Sequence, residues 1–234
     1  MYVADGRMVL SPTDLVGHLA CPHLTTLERE VALGLRPPPD GDDAGAALVR
    51  SLGDAHEQSV VDEMRSRLDV VEIPRSDDLP AAEQLTLDAM KRGADVVYQA
   101  TFFDGRWRGH ADFLVRNDQR PSGLGDWSYD VADTKLARHL KVGALLQMGV
   151  YAGRLETLQG APPESLTVIL GSGERVSVRH VDVAAYTRRT ATMPAPISSG
   201  RSATLTSGRW STRCAAGSTS SRSPDPTTCR PPSS

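Results

Sequence analysis

DVVYQATFFDGRWRGHADFLVR, residues 95–116, is the stretch that decides the fold. Two runs rich in β-branched and aromatic residues flank Asp104-Gly105, a dipeptide suited to the left-handed conformations of a tight hairpin turn. The pattern predicts two antiparallel strands, Asp95 to Phe103 and Arg106 to Arg116. Downstream, WSYDVADTK (127–135) predicts a third strand. A helix is expected from about Leu136 to Leu158, because Leu140, Ala144, Gln147, Tyr151 and Leu155 recur on one face. LTVIL (166–170) and RVSVRH (175–180) read as two short strands joined through Gly171 to Gly173.

Upstream of the hairpin the reading is helical. Ser11 can cap a first helix, Pro12 suits its first position, and Asp14 favours the positive end of the dipole. Cys21-Pro22 interrupts it, and a further helix runs from Leu24 to Leu35. Beyond a Gly/Asp-rich linker, Leu48, Leu52, Val60, Val61, Met64 and Leu68 repeat at helical spacing, with His56 and Glu57 on the same helix. The class is therefore α/β: a mixed central sheet flanked by helices, after an N-terminal helical segment. The boundaries expected are 1–40 for that segment, 41–189 for the core and 190–234 for a tail.

The tail differs in kind. Of its 45 residues, 28 are Ser, Thr, Pro or Gly, without apolar periodicity, so it is expected to be disordered. Two origins stay open: a natural flexible tail, or a frameshift or truncation that replaced a genuine C-terminal segment. The 234-residue chain has a net charge of −3; the tail carries +4, leaving −7 on the first 189 residues. An acidic body of this kind repels nucleic acid unless cations and a local basic strip intervene. No apolar run is long enough for a membrane span, and the N-terminus lacks a secretion signal, so no membrane association and a cytoplasmic location are expected. Three cysteines are too few for a disulfide scaffold.

Chemistry concentrates in a few positions. Asp133 and Lys135, two apart on a strand, project to the same side. His56, Asp112 and Asp133 are expected at one edge of the fold. Two carboxylates and an imidazole at one point repel and desolvate unless a divalent cation joins them, and such ligands suit Mg²⁺ or Mn²⁺. A lysine beside them can stabilise charge developing on phosphorus. Arg106 and Arg108 around Trp107, with Arg138, His139 and Lys141 after the third strand, could supply the basic strip for phosphate contact. Nothing resembles base-edge readout, and no G-x-x-x-x-G-K-[ST] loop is present for nucleotide hydrolysis.

Four motifs stand in order: Gly53, His56 and Glu57 as G-x-x-H-E; Gly109 and Asp112 as G-x-x-D; Asp133, Thr134 and Lys135 as D-x-K; Gln147 and Tyr151 as Q-x-x-x-Y. This series resembles the RecB-like branch of the PD-(D/E)XK nucleases, over roughly residues 11 to 185. The resemblance implies a restriction-endonuclease-like fold and a metal-dependent deoxyribonuclease acting on DNA single strands or ends in repair, recombination or CRISPR-type processing, with a helicase or other DNA-processing subunit as partner. It implies metal ligation by His56, Asp112, Asp133 and the Thr134 carbonyl, catalysis by Lys135 with Asp112 and Asp133, and DNA contact by Gln147 and Tyr151, with Arg138 beside them. Glu57 is expected to point elsewhere on its helix. Cys21 matches the first cysteine of a [4Fe–4S] cluster found in some members. The trio that would complete the cluster is absent, since only Cys214 and Cys229 follow, so an intact cluster is not expected in this chain. The alternative to an enzyme is a catalytically inactive nucleic-acid-binding or scaffold module with a nuclease-like fold.

Overall fold

The computed structural model describes residues 1–39 and 44–190. The expected tail, Cys214 and Cys229 lie outside the described residues, as does most of the Gly/Asp linker. The chain opens with a small hairpin, β1 (Tyr2–Ala4) and β2 (Arg7–Val9), turning on Asp5 and Gly6 at positive φ. Helices α1 (Pro12–Ala20) and α2 (Pro22–Ala32) follow; α1 starts after Ser11 with Pro12 in its first position as expected, but Asp14 makes the capping bond, its Oδ2 accepting from the Ser11 amide at 2.6 Å. Then come α3 (Ala44–Arg65), β3 (Val70–Glu72), α4 (Leu79–Lys91), β4 (Val96–Phe103), β5 (Arg108–Asn117) and β6 (Ser128–Lys135). The last elements are α5 (Val142–Gln159), β7 (Ser165–Leu170), β8 (Arg175–Arg179) and α6 (His180–Thr190).

Strands β3 to β8 form one six-stranded mixed sheet in chain order. The pairs β3–β4 and β6–β7 are parallel, each bridged by a helix, α4 and α5 respectively; the other neighbours are antiparallel. Helices α4 and α5 bury Ala82, Ala89, Met90, Met148, Ala152 and Leu155 against one set of sheet side chains. Helix α3 covers the other set through Val60, Val61 and Met64, which pack with Val96, Phe113, Ala132 and Ile169. The two crossover helices α4 and α5 thus cover one face, α3 covers the middle of the other, and the outer strand β8 stays largely exposed. No described helix is long and apolar enough to cross a membrane.

Several elements differ from the sequence reading. Hairpin β1–β2, strand β3 and helix α4 are additional. Helix α4 carries its own signals, an Asp78 cap accepting from the Ala81 amide at 3.1 Å and Pro80 in its first turn. Helix α5 starts at Val142, not near Leu136, because residues 136–141 lie against the β7–β8 turn, where a Cβ on Gly171 would sit 2.7 Å from the Leu136 carbonyl. His180 opens α6 and does not end β8.

Regular alternation fails on one rung. In β4, Tyr98 packs on the α3 side, yet Ala100 and Phe102 pack on the α4–α5 side; in β5, Ala111 faces α4–α5, yet Phe113 faces α3. Side chains two apart on a strand should share a face. Both strands therefore rotate by half a turn at Gln99 and Asp112, which stand opposite one another in the register set by Tyr98↔Phe113 and Ala100↔Ala111. The cause is local: Gln99 has φ of +55°, a left-handed conformation that costs a residue with a Cβ about 1–3 kcal/mol.

Candidate active site

The site lies where β5 and β6 part. Their ladder ends at Phe113↔Ala132, so Asp112 and the run Asp133 to Lys135 are not paired with each other's backbone. The Asp112 side chain fills the gap. Its Oδ2 accepts from both the Thr134 amide and the Thr134 hydroxyl, each at 2.7 Å, and these two bonds fix the carboxylate in one orientation. Asp133 is 4% exposed and Thr134 is also buried, whereas Lys135 is half-buried. The Lys135 ammonium forms an ion pair with Asp133 Oδ2, as the two-residue spacing predicts.

Electrostatics follow from this crowding. Burial, then the Asp112 charge and a hydrogen bond between the two carboxyl groups, push Asp133 up to about 7 against the pull of Lys135. Burial works against the Lys135 ammonium, but Asp133 outweighs it with help from Asp112 and Glu57, so the lysine is held above its ordinary value and stays charged. One ammonium faces a buried carboxyl group, Asp133, and a half-buried one, Asp112, a crowding of acids that a divalent cation would relieve.

The other expected residues are distributed around this pair. His56 is half-buried on α3, and its Nε2 lies 3.3 Å from the Ile169 carbonyl of β7, not against the carboxylates. Among the described residues no three His, Cys, Asp or Glu side chains form a group that could hold a metal ion. Tyr151 lies over Gly109 and packs at a tilt beside Phe102, 5.9 Å between ring centroids. Burial, then Asp133 and Asp112, raise its phenol. Gln147 reaches back to α1, donating to the Thr13 hydroxyl at 3.4 Å. Arg138 and His139 are exposed in the loop before α5. A cavity of about 230 Å³ opens beside Lys135, lined by His139, Lys141 and Gln147 above an apolar floor of Val16, Val168 and Leu170. Cys21 is a free, exposed cysteine between α1 and α2.

Glu57 was expected to point away and does not. Burial and the Asp112 charge raise its carboxyl, which accepts from the Gln99 amide. The adjacency of His56 and Glu57 conceals this, because successive helical residues differ by about 100° and both can reach a wide sheet from one helix.

The absence of a side chain at Gly109 is itself part of the site. A Cβ there would come within 2.4 Å of Tyr151 Cε1. Gly109→Ala is expected to displace the Tyr151 ring and to lower stability by about 1–3 kcal/mol, read by urea denaturation beside a loss of Tyr151 near-ultraviolet circular dichroism. No protein-family model matches the chain, and no curated protein matches it.

Proposed function

We propose that the chain is a metal-dependent nuclease that hydrolyses phosphodiester bonds in DNA, with the restriction-endonuclease-like architecture and RecB-like kinship suggested by its four motifs. The observation that carries this reading is the Asp112–Asp133 pair with Lys135, held together in the gap between β5 and β6. The donor set fits a hard divalent cation, Mg²⁺ or Mn²⁺: two carboxylates in mutual repulsion, with the Thr134 carbonyl as a further oxygen. When bound, the cation would supply an activated water and polarise the phosphate. His56, turned to Ile169, would need a different rotamer to join it.

The chain's own residues account for the rest. Thr134 orients Asp112 so that its other oxygen is available to the gap. Lys135 holds a full positive charge next to Asp133 and offsets charge gathering on a pentacovalent phosphate. Lys141, His139 and Arg138, at or near the mouth of the adjoining cavity, can take flanking phosphates without reading bases. Single strands or DNA ends are the proposed substrates, with a helicase or other processing subunit as the proposed partner.

The test is cleavage of labelled single-stranded DNA by the full chain in Mn²⁺ and in Mg²⁺. Lys135→Ala is expected to reduce the single-turnover rate by about 10²–10³-fold with DNA binding retained. DNA binding with no cleavage by the wild-type chain in either metal would overturn the nuclease. It would support instead a nucleic-acid-binding module without activity, a reading that the position of His56 favours.

A further inference from the structure

The strained rung of the sheet carries a chain of polar contacts that the proposed reaction does not yet use. Gln99 is 6% exposed and sits in the left-handed region at φ +55°, opposite Asp112. Glycine and asparagine tolerate that conformation better than glutamine does. A position needed only for the turn of the strand has no use for a long amide. The amide is in use: its Oε1 accepts from Arg75 Nη2 at 3.0 Å, and its Nε2 donates to Glu57 Oε1. Burial and then Glu57 raise the Tyr98 phenol. Arg75, Gln99 and Glu57 thus come from the segment after β3, from β4 and from α3, and they meet at the rung where Gln99 stands opposite Asp112.

We propose that Gln99 is a positioning residue, whose amide holds the Glu57 carboxylate toward Asp112 and Lys135 as the third acid of the site. This rests on the nuclease reading and deepens it. The half-turn at Gln99 and Asp112 serves two purposes on one rung: it presents Asp112 to the gap between β5 and β6, and it brings the Gln99 amide to the side of α3 from which Glu57 comes. Arg75 anchors the far end of the amide, so the amide nitrogen must face Glu57. A carboxylate fixed there adds negative charge to the face that a divalent cation would enter.

Two variants of the full chain test this. Gln99→Gly relieves the backbone and removes the amide; Gln99→Met keeps the length and removes the hydrogen bonds. Expected for both is a Glu57 side chain turned away from Asp112 in the crystal structure, a half-saturating Mn²⁺ concentration raised about 10-fold by calorimetry, and cleavage reduced at least 10-fold. Gln99→Gly is expected to melt no lower than wild type, which separates positioning from simple loss of fold. Wild-type Mn²⁺ binding and cleavage in both variants, or an unmoved Glu57 carboxylate, would overturn the proposal. A wild-type chain that cleaves no DNA would overturn the nuclease reading, and the position of Glu57 in the two crystal structures would still decide the role of Gln99.

Discussion

Asp133→Asn is expected to abolish cleavage, by about 10³-fold or more, and at the same time to make the metal-free protein more stable at neutral pH. The two effects have one origin. Burial and the neighbouring Asp112 place the folded-state carboxyl of Asp133 well above its unfolded value. Such a group contributes stability that is fully present below the unfolded pKa, near 4, and is lost as pH rises through the folded value, about 7. At pH 7.5 the wild-type chain has lost that contribution, whereas a neutral amide never carries the buried charge. A gain of about 1–3 kcal/mol is expected for Asp133→Asn at pH 7.5, held down because Lys135 loses its closest counter-ion, and it shrinks toward zero by pH 4 as the wild-type carboxyl itself becomes neutral. Urea titrations of both proteins from pH 4 to pH 8, without metal, read the effect directly. Equal stabilities across that range would mean that Asp133 is not under strain, and the case for a cation at this position would fall with it.

The second large effect falls on the wall behind the site. Phe113 is fully buried, stacks on Tyr98 at 5.5 Å between ring centroids, and packs with Val60, Val61 and Met64 of α3. Phe113→Ala is expected to cost about 3–5 kcal/mol, since neither a paired strand nor a helix anchored along its length can collapse into the space. The same change loosens Tyr98, which stacks on that ring beside Gln99, and the backbone next to Asp112. Denaturation should show a lower midpoint with little change in slope, while Phe113→Leu should recover most of the loss.

Much of the sheet was legible because its signals are local. Asp104-Gly105 between two β-rich runs marks β4 and β5, and the observed strands agree with the expected ones to within two residues at each end. The pairing of Asp133 with Lys135 followed from strand geometry alone. What escaped the sequence depends on distant chain. Short strands such as β3, three residues long, carry no pattern of their own and are defined by the partner that pairs with them. Gln99 gives no sign of a left-handed residue, since nothing in its type favours that conformation, and so the exchange of faces at residues 99 and 112 is invisible to an alternation rule. For the same reason Glu57 was directed away from the site, when its orientation is set by an amide 42 positions later. His56 shows the converse: the motif placed it among ligands, and the nearest polar atom on β7 claims its ring nitrogen.

The gap between β5 and β6 exists because the two strands stop exchanging hydrogen bonds beyond Phe113 and Ala132, while β6 stays paired with β7 and β5 skips one rung at Asp112 before pairing with β4 again. A cleft formed in this way is rigid without needing a loop to shape it, and its occupants can be replaced without rewiring the scaffold. Chains with identical architecture could therefore diverge into catalysts and inert binders through two or three substitutions, so that shape alone would not distinguish one from the other.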